Sequence, residues 1–389
     1  MTLQGLAQHY RNYSAVSRQI AAAKHRHRLA VLGRMLACRA LAHHPTLYYD
    51  LYDLDDRRPA EWGEFVTKEE MDQLQVQLNP PQYTDLVDDK LRFYERCLER
   101  QIPTPPVLGV LPVRASRIPA GIPEISTEEQ LRDLFRRHDN TRLFFKTVDG
   151  SYGVGILSVS VRGDHVADHL GAPLTAQDIF KHCRGHRRSF LVQPHLAPHP
   201  DLTPLMPGLA LGTFRVYTIL QRHGQTPIIP FGIAIAKVPI RTSISDNFHH
   251  GATGNLLCQV NVEDGTMTDA CSKPAGVSGV LHVERHPDTG VVFREFRIPY
   301  WQELLSQVNR AALAFRELPT LGWDAAITTH GVTLLEANWH YDPDGFQILL
   351  NRGVKSELKA LYRSAQAPSR PGPQNGHDQS KVPGLDANG

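Results

Sequence analysis

The chain has 389 residues, 42 Lys and Arg against 40 Asp and Glu, and 41% hydrophobic residues. That length allows two or three subdomains around sizeable cores, and a formal charge of +2 excludes a nucleic-acid binder driven by global charge. No run of about eighteen apolar residues occurs, so no membrane-spanning helix is expected, and five cysteines without a CxxC pair exclude a disulfide framework and a structural zinc, as for reduced thiols in a cytoplasmic protein.

Nothing acidic precedes Asp50, whereas Arg11, Arg18, Lys24, Arg26, Arg28, Arg34 and Arg39 do. Residues 21–44 are rich in helix formers, and Leu29, Leu32, Leu36 and Ala40 fall at helical spacing. The segment reads as a surface helix that packs this apolar face on the body. The alternatives for so basic a start are a transit peptide or a contact with RNA phosphates. The mainly helical region 1–84 ends at the breaker Asn79-Pro80-Pro81. A helix over 85–101 follows, stopped by Pro103, Pro105 and Pro106. Next come a short strand within 107–113 and a helix opened by the capping-box pattern Ser126-Thr127-Glu128-Glu129.

From Leu143 the pattern changes to short apolar runs between glycines. Strands are expected at 142–148, 153–161, 189–196, 212–220, 227–238, 254–262, 290–296, 324–329 and 331–339, many of them antiparallel. Helices interleave near 175–182 and 300–318. The fold class is therefore α+β with a mixed or antiparallel sheet. Residues 366–389, rich in proline and glycine, read as a disordered tail.

Three segments carry chemistry. In LGWDAAITTHGVTLLEANW, a strand turns at Thr329-His330-Gly331 and returns, which sets Asp324 opposite Glu336 with Asn338 on the same face. Two carboxylates facing each other in an apolar hairpin repel unless a cation lies between them. Oxygen-only donors suit Mg²⁺ that also binds phosphates. In FFKTVDGSYGVG, a strand ending at Lys146 runs into a turn with Gly150, Ser151, Tyr152, Gly153 and Gly155. Backbone N–H groups of such a turn can cradle phosphate oxygens, although a plain turn has the same composition. Arg215 and Lys237 are lone cations in apolar strands and need an anionic partner, either a protein carboxylate or a bound polyphosphate.

Taken in order, these segments resemble the ATP-grasp superfamily, and within it the sugar-transfer-associated branch, over roughly residues 85–353. The resemblance implies two α+β lobes gripping a nucleotide: 85–190 with the glycine-rich loop and 191–365 with the Mg²⁺/ATP site. By its motifs, Lys90 in the Asp-Lys that opens a helix, Lys146 and Gly150–Gly153 would meet the phosphates. Gln193, His195 and Leu196 would form the hinge at the base, and Asp201 would reach the ribose. Asp324, Glu336 and Asn338 would hold Mg²⁺, with Arg215 and Lys237 as catalytic cations. Many superfamily ligases have glutamate where Gln193 stands, and residues 339–345 replace a Pro-Gly turn that contacts the acceptor.

The implied reaction activates a small-molecule or peptide carboxylate with ATP as an acylphosphate and joins it to an amine. Alternatives are a phosphotransferase, a non-catalytic ATP-binding protein, or a ligase that docks tRNA on its basic N-terminal helix. Many members of the superfamily are homodimers; no residue here decides that. Alanine at Asp324 or Glu336 is expected to abolish turnover without loss of fold.

Overall fold

A computed structural model describes residues 3–113, 117–150, 155–221, 224 and 226–366, with side chains from residue 12 onward. Twelve strands are assigned: β1 (Gly109–Leu111), β2 (Arg142–Thr147), β3 (Leu157–Arg162), β4 (His165–Ala167), β5 (Phe190–Pro194), β6 (Thr213–Ile219), β7 (Ile233–Val238), β8 (Leu256–Asn261), β9 (Met267–Ser272), β10 (Leu281–Val283), β11 (Thr320–Thr328) and β12 (Gly331–Asn338). They form two antiparallel sheets, β1-β5-β2-β3-β4 and β10-β9-β8-β7-β6-β11-β12. No helix among the described residues is long and apolar enough to cross a membrane.

In the first sheet, alternation along β2 buries Leu143 and Phe145 on one face. There they pack with Leu131, Leu134 and Phe135 of the helix Glu128–Arg137 and Ile179 of the helix Ala176–Gly185. Thr127 and Gln130 close the capping box, one residue later than the expected Ser126 and Glu129. The opposite face carries Phe144 and Lys146 and looks toward the second sheet. β5 belongs to the first sheet.

The second sheet is covered on both faces. On one, Phe214, Val216, Trp323 and Leu334 pack beneath the helix Trp301–Ala314. On the other, Tyr217, Ile219, Ile235 and Leu257 share a core with Tyr49, Trp62 and Met71 of the N-terminal region and with Phe346 and Leu358 near the C-terminus. Residues 1–84 therefore do not make a core of their own. They cover one end of a sheet face and leave its other end, with Thr213 and Arg215, open to the first lobe.

Four expectations are corrected. The N-terminal helix is broken: helices span Leu3–Ala23 and Arg28–Ala42, with His25 in the left-handed region between them. The second of these packs through Val31, Met35, Cys38 and Ala42, leaving Leu29 and Leu36 exposed at 69% and 54%, so the expected apolar face is the outer one. Lys24 pairs with Asp53 and Asp56, Arg26 with Asp55 and Asp56, and Arg34 approaches Asp55, which is why this basic stretch folds back on the acidic turn that follows it. The helix expected over 85–101 is interrupted at Asp89, whose carboxylate caps the helix Lys90–Glu99 by accepting from the N–H groups of Leu91 and Arg92. The segment 290–296 is not a strand: a single 3₁₀ turn, Phe293–Glu295, buries the Phe293 ring in the core. The expected tail lies outside the described residues from 367 onward.

Candidate active site

The hairpin β11–β12 supplies the carboxylates, and its register explains how. Thr328 pairs with Gly331 across a two-residue turn at Thr329-His330, one residue shorter than expected. Left uncorrected, that turn would set Asp324 opposite Leu335. A bulge between Asp324 and Ala325 absorbs one residue, so Asp324 faces Glu336 and Gly322 faces Asn338, as the sequence implied. Arg215 on β6 is the other neighbour of Asp324, so Arg215, Asp324 and Glu336 form a row across three strands. Gly322 has no side chain because a Cβ there would stand 3.2 Å from the Tyr217 ring and 3.3 Å from the Arg215 stem.

Asp324 is 2% exposed and fully engaged. Its Oδ1 accepts from Arg215 Nε at 2.5 Å and its Oδ2 from Nη2 at 2.7 Å, and Lys237 Nζ lies 3.1 Å from Oδ2. Burial opposes its ionisation, but Arg215 and then Lys237 outweigh it and hold the carboxyl well below the usual carboxylate range. Lys237 also lies 3.4 Å from Asp246 Oδ2, which accepts from the Thr213 hydroxyl and backbone N–H. Glu336 has no such cation; Asn338 Nδ2 donates to its Oε1 at 3.4 Å.

The opposite wall comes from the first lobe. Lys146 lies at the end of β2, and Lys90 is the first residue of its helix. Lys90 N donates to Val148 O, and its ammonium reaches Gly150 O, so the helix start is tied to the end of β2. Lys146 makes no ion pair among the described residues; its ammonium lies 6.0 Å from the centre of the Phe144 ring. Burial pulls it below the usual lysine value, with Glu336 opposing that effect and Lys90 adding to it. A half-buried cation with no carboxylate in contact calls for an anionic ligand.

One cleft brings these groups together: Lys90, Lys146, Lys237, Asp324, Glu336 and Gly150 at one end, and Gln193, His195 and Leu196 at the other. Apolar side chains of Phe144, Pro105, Leu209, Leu211 and Ile244 line the hinge end, where His195 stacks on Phe144 at 5.6 Å. Gln193 is buried and donates to Pro105 O at 3.3 Å. The enclosed volume is about 180 Å³, below the roughly 300–1,000 Å³ of typical small-molecule sites, so a nucleotide would have to part the lobes slightly.

Asp201 does not join the cleft. Its side chain is 69% exposed in the 3₁₀ helix Pro200–Leu205, held near His199 and away from the hinge, so no ribose contact follows from it. Ser151, Tyr152 and Gly153 lie outside the described residues. Arg215 and Asn338 line a second cleft behind the first, with Lys237 and Glu336 shared between the two. Sequence reasoning left out Phe144, although its spacing of two from Lys146 on β2 places it on the same face, and Leu335, which lines the cleft at the bulge.

Mg²⁺ fits this donor set. Among the described residues no group of three or more His, Cys, Asp or Glu side chains is placed to hold a metal. Two carboxylates plus the Asn338 amide match a cation that takes its remaining oxygens from water and phosphate. Asp324 is ionised, and its Oδ1 keeps a lone pair beyond the one given to Arg215, whereas its Oδ2 is shared by Arg215 and Lys237.

The model of the sugar-transfer associated ATP-grasp family matches residues 69–363, well over half of the chain. No curated protein is similar in sequence. Among solved structures, D-alanyl-alanine synthetase A from Vibrio cholerae O1 biovar eltor is 12% identical, with 78% of this chain and 73% of that one covered and a TM-score of 0.43. D-cycloserine synthetase DcsG is 13% identical, with 74% and 72% covered and a TM-score of 0.38. The ATP-grasp ligase PsnB, solved with a minimal precursor, is 14% identical over 74% of this chain, with a TM-score of 0.37. This chain spans only 64% of PsnB. None of these likenesses bears on what the chain acts upon.

Proposed function

The chain belongs to the sugar-transfer associated ATP-grasp family, and from that premise we propose that it is an ATP-dependent ligase that activates a carboxylate and joins it to an amine. The observation that carries this reading is Lys146, a cation with no carboxylate in ion-pair contact among the described residues, facing Glu336 across a cleft that also holds Lys90 and Lys237. Polyphosphate supplies the missing anion. Asp324, Glu336 and Asn338 would hold Mg²⁺, which when bound neutralises phosphate oxygens and aligns the terminal phosphoryl group.

The protein's own part is positioning and charge. Lys146 and Lys90 bind phosphate oxygens from the first lobe, and Lys237 binds them from the second. The apolar end lined by Phe144 and Leu211 encloses the base. A substrate carboxylate oxygen attacks the γ-phosphorus, the bond to the β-phosphate oxygen breaks, and ADP leaves with its electron pair. The amine nitrogen then attacks the acyl carbon of the acylphosphate, the C–O bond to phosphorus breaks, and phosphate departs. Arg215, fixed by two bonds to Asp324, lies beside the second cleft, where it would offset the charge developing on the acyl oxygen.

The test is isotopic. The enzyme is offered ATP, Mg²⁺ and a panel of amino-acid, peptide and sugar carboxylates, each ¹⁸O-labelled and paired with amines. The expected result is ADP plus inorganic phosphate that carries one ¹⁸O from the carboxylate. A phosphorylated product without free phosphate would make the protein a phosphotransferase instead.

A further inference from the structure

The second cleft has a volume of about 430 Å³ and opens beside Lys237 and Glu336, next to the place proposed for the phosphates. Its walls carry the carboxylates Asp88, Asp342 and Asp344, the aromatic rings of Phe248 and Tyr341, and the imidazole of His250. Arg215 and Lys237 also face it, but both are paired with Asp324. Asp342 is paired in turn with Lys68 at 3.3 Å, which leaves Asp88, Glu336 and Asp344 as the wall carboxylates without a Lys or Arg partner among the described residues.

One contact within it is built in an unusual way. His250 Nδ1 lies 2.7 Å from Asp344 Oδ2. Asp344 is buried, and that oxygen has no hydrogen-bond partner among the described residues, so the imidazole is the group placed to compensate it. The other oxygen, Oδ1, accepts from the Tyr52 hydroxyl at 2.7 Å, and Tyr52 Oη accepts from Gln347 Nε2 at 2.9 Å. The carboxylate is thus fixed from the N-terminal region, about 290 residues away in sequence. The imidazole itself is 41% exposed to the cleft.

The backbone is arranged to put it there. His249, His250 and Gly251 all have positive φ, at 45°, 52° and 92°. Two consecutive histidines in the left-handed region are strained and persist only where the surroundings enforce them. Here Asn255 is buried and gathers the loop, donating to Ser245 O at 2.8 Å and Asn247 O at 2.9 Å while accepting from Ile240 N and Ser243 Oγ. Gly251 packs so tightly on Lys273 that a Cβ would stand 2.2 Å from its carbonyl oxygen.

Resting on the ligase reading above, we propose that this cleft is the acceptor site, that it takes a primary amine entering as an ammonium ion, and that His250, oriented by Asp344, is the base that deprotonates it. The carboxylates Asp88 and Asp344 draw the cation in. Nδ1 is the ring nitrogen beside Asp344, and the tautomer that carries its proton on that nitrogen leaves the Nε2 lone pair for the amine proton. Transfer of one proton to Nε2 frees the nitrogen lone pair, the C–N bond forms as the C–O bond to phosphate breaks, and the second amine proton passes to solvent. Pairing with Asp344 lifts His250 above the usual histidine value against the opposing effect of burial, with Asp342 contributing in the same direction. Tyr52 and Tyr48 from the N-terminal region, Lys68 paired with Asp342, His340, Tyr217 and Tyr341 on the cleft walls, and Lys273, neutralised by Asp50, are other titratable groups around the pair.

The test separates the two half-reactions. Hydroxylamine is largely uncharged at neutral pH and traps an acylphosphate without needing a base, whereas 1,5-diaminopentane enters as an ammonium ion. With ATP, Mg²⁺ and the carboxylate that supports phosphate release, His250→Gln should keep hydroxamate formation within about 2-fold. It should lose about 100-fold in amide formation with the diamine, together with the rising limb of the kcat/KM–pH profile. Asp344→Asn should lower the diamine rate by less and shift that limb, provided the melting temperature shows a folded protein. Equal loss in both half-reactions would overturn the assignment of His250 as a base, and so would unchanged diamine kinetics. Absence of hydroxamate from the wild type would overturn the ligase reading itself.

Discussion

Replacing Asp324 by alanine is expected to destabilise the protein by about 3–5 kcal/mol, because it strands an enclosed guanidinium. Arg215 spends two hydrogen bonds on this carboxylate, and Lys237 leans on it from the next strand. Glu336→Gln, at a half-buried position without a cation partner, should change stability by less than about 1 kcal/mol. The sequence alone suggested that both residues could be lost without loss of fold; burial and pairing separate them. Urea denaturation of the two variants measures the difference. Its pH dependence has a defined sign. The Asp324 carboxyl is held below its unfolded value of about 3.9, so its contribution is complete above that value and is lost as pH falls toward the folded one. The gap between wild type and Asp324→Asn should therefore be constant through neutral pH and close only in acid. Equal stability of Asp324→Ala and wild type would mean that Arg215 finds another counter-charge.

Lys146→Met is expected to act in the opposite way, leaving the free protein as stable as the wild type or more so. Burial pulls this ammonium below its usual value, and no carboxylate pairs with it among the described residues. Removing such a cation relieves a desolvation penalty. The loss should fall on nucleotide binding, by about 2–5 kcal/mol, since the cation's phosphate partner is then left unmatched. Calorimetric titration of the non-hydrolysable analogue AMP-PNP with Mg²⁺ into wild type and variant reads this directly. A variant that binds as well as the wild type but melts lower would make Lys146 a structural residue.

Much of this site could be read from the chain because its residues lie on strands of simple period. Alternation alone put Arg215 and Thr213 on one face, and the hairpin put Asp324 opposite Glu336. The turn there was misjudged by one residue, and the bulge at Leu335 restored the pairing. Lys146 was legible as a strand end, whereas the apolar pattern ran one helix through Lys90 and only the family resemblance set it at a helix start; the bond from Lys90 N to Val148 O that joins them has no signature in sequence. The apolar stripe of Leu29 and Leu36 misled because periodicity does not say which side of a helix meets a neighbour. Ion pairs from Lys24, Arg26 and Arg34 to the turn at Asp53–Asp56 turned it outward. His250 and Asp344 could not be paired beforehand, since nearly a hundred residues and five strands separate them.

The central claim is that the cleft between Lys146 and Glu336 holds a magnesium nucleotide. Melting temperature with AMP-PNP, with and without Mg²⁺, in wild type and Glu336→Gln tests it most directly. A ligand at one hundred times its dissociation constant stabilises the folded state by about 2.7 kcal/mol, which a protein of this size shows as a shift of several degrees. The expected result is a rise in the wild type that requires Mg²⁺ and is lost in Glu336→Gln, with both proteins melting alike without ligand. A shift of equal size in the variant, or no shift in the wild type, would contradict the account.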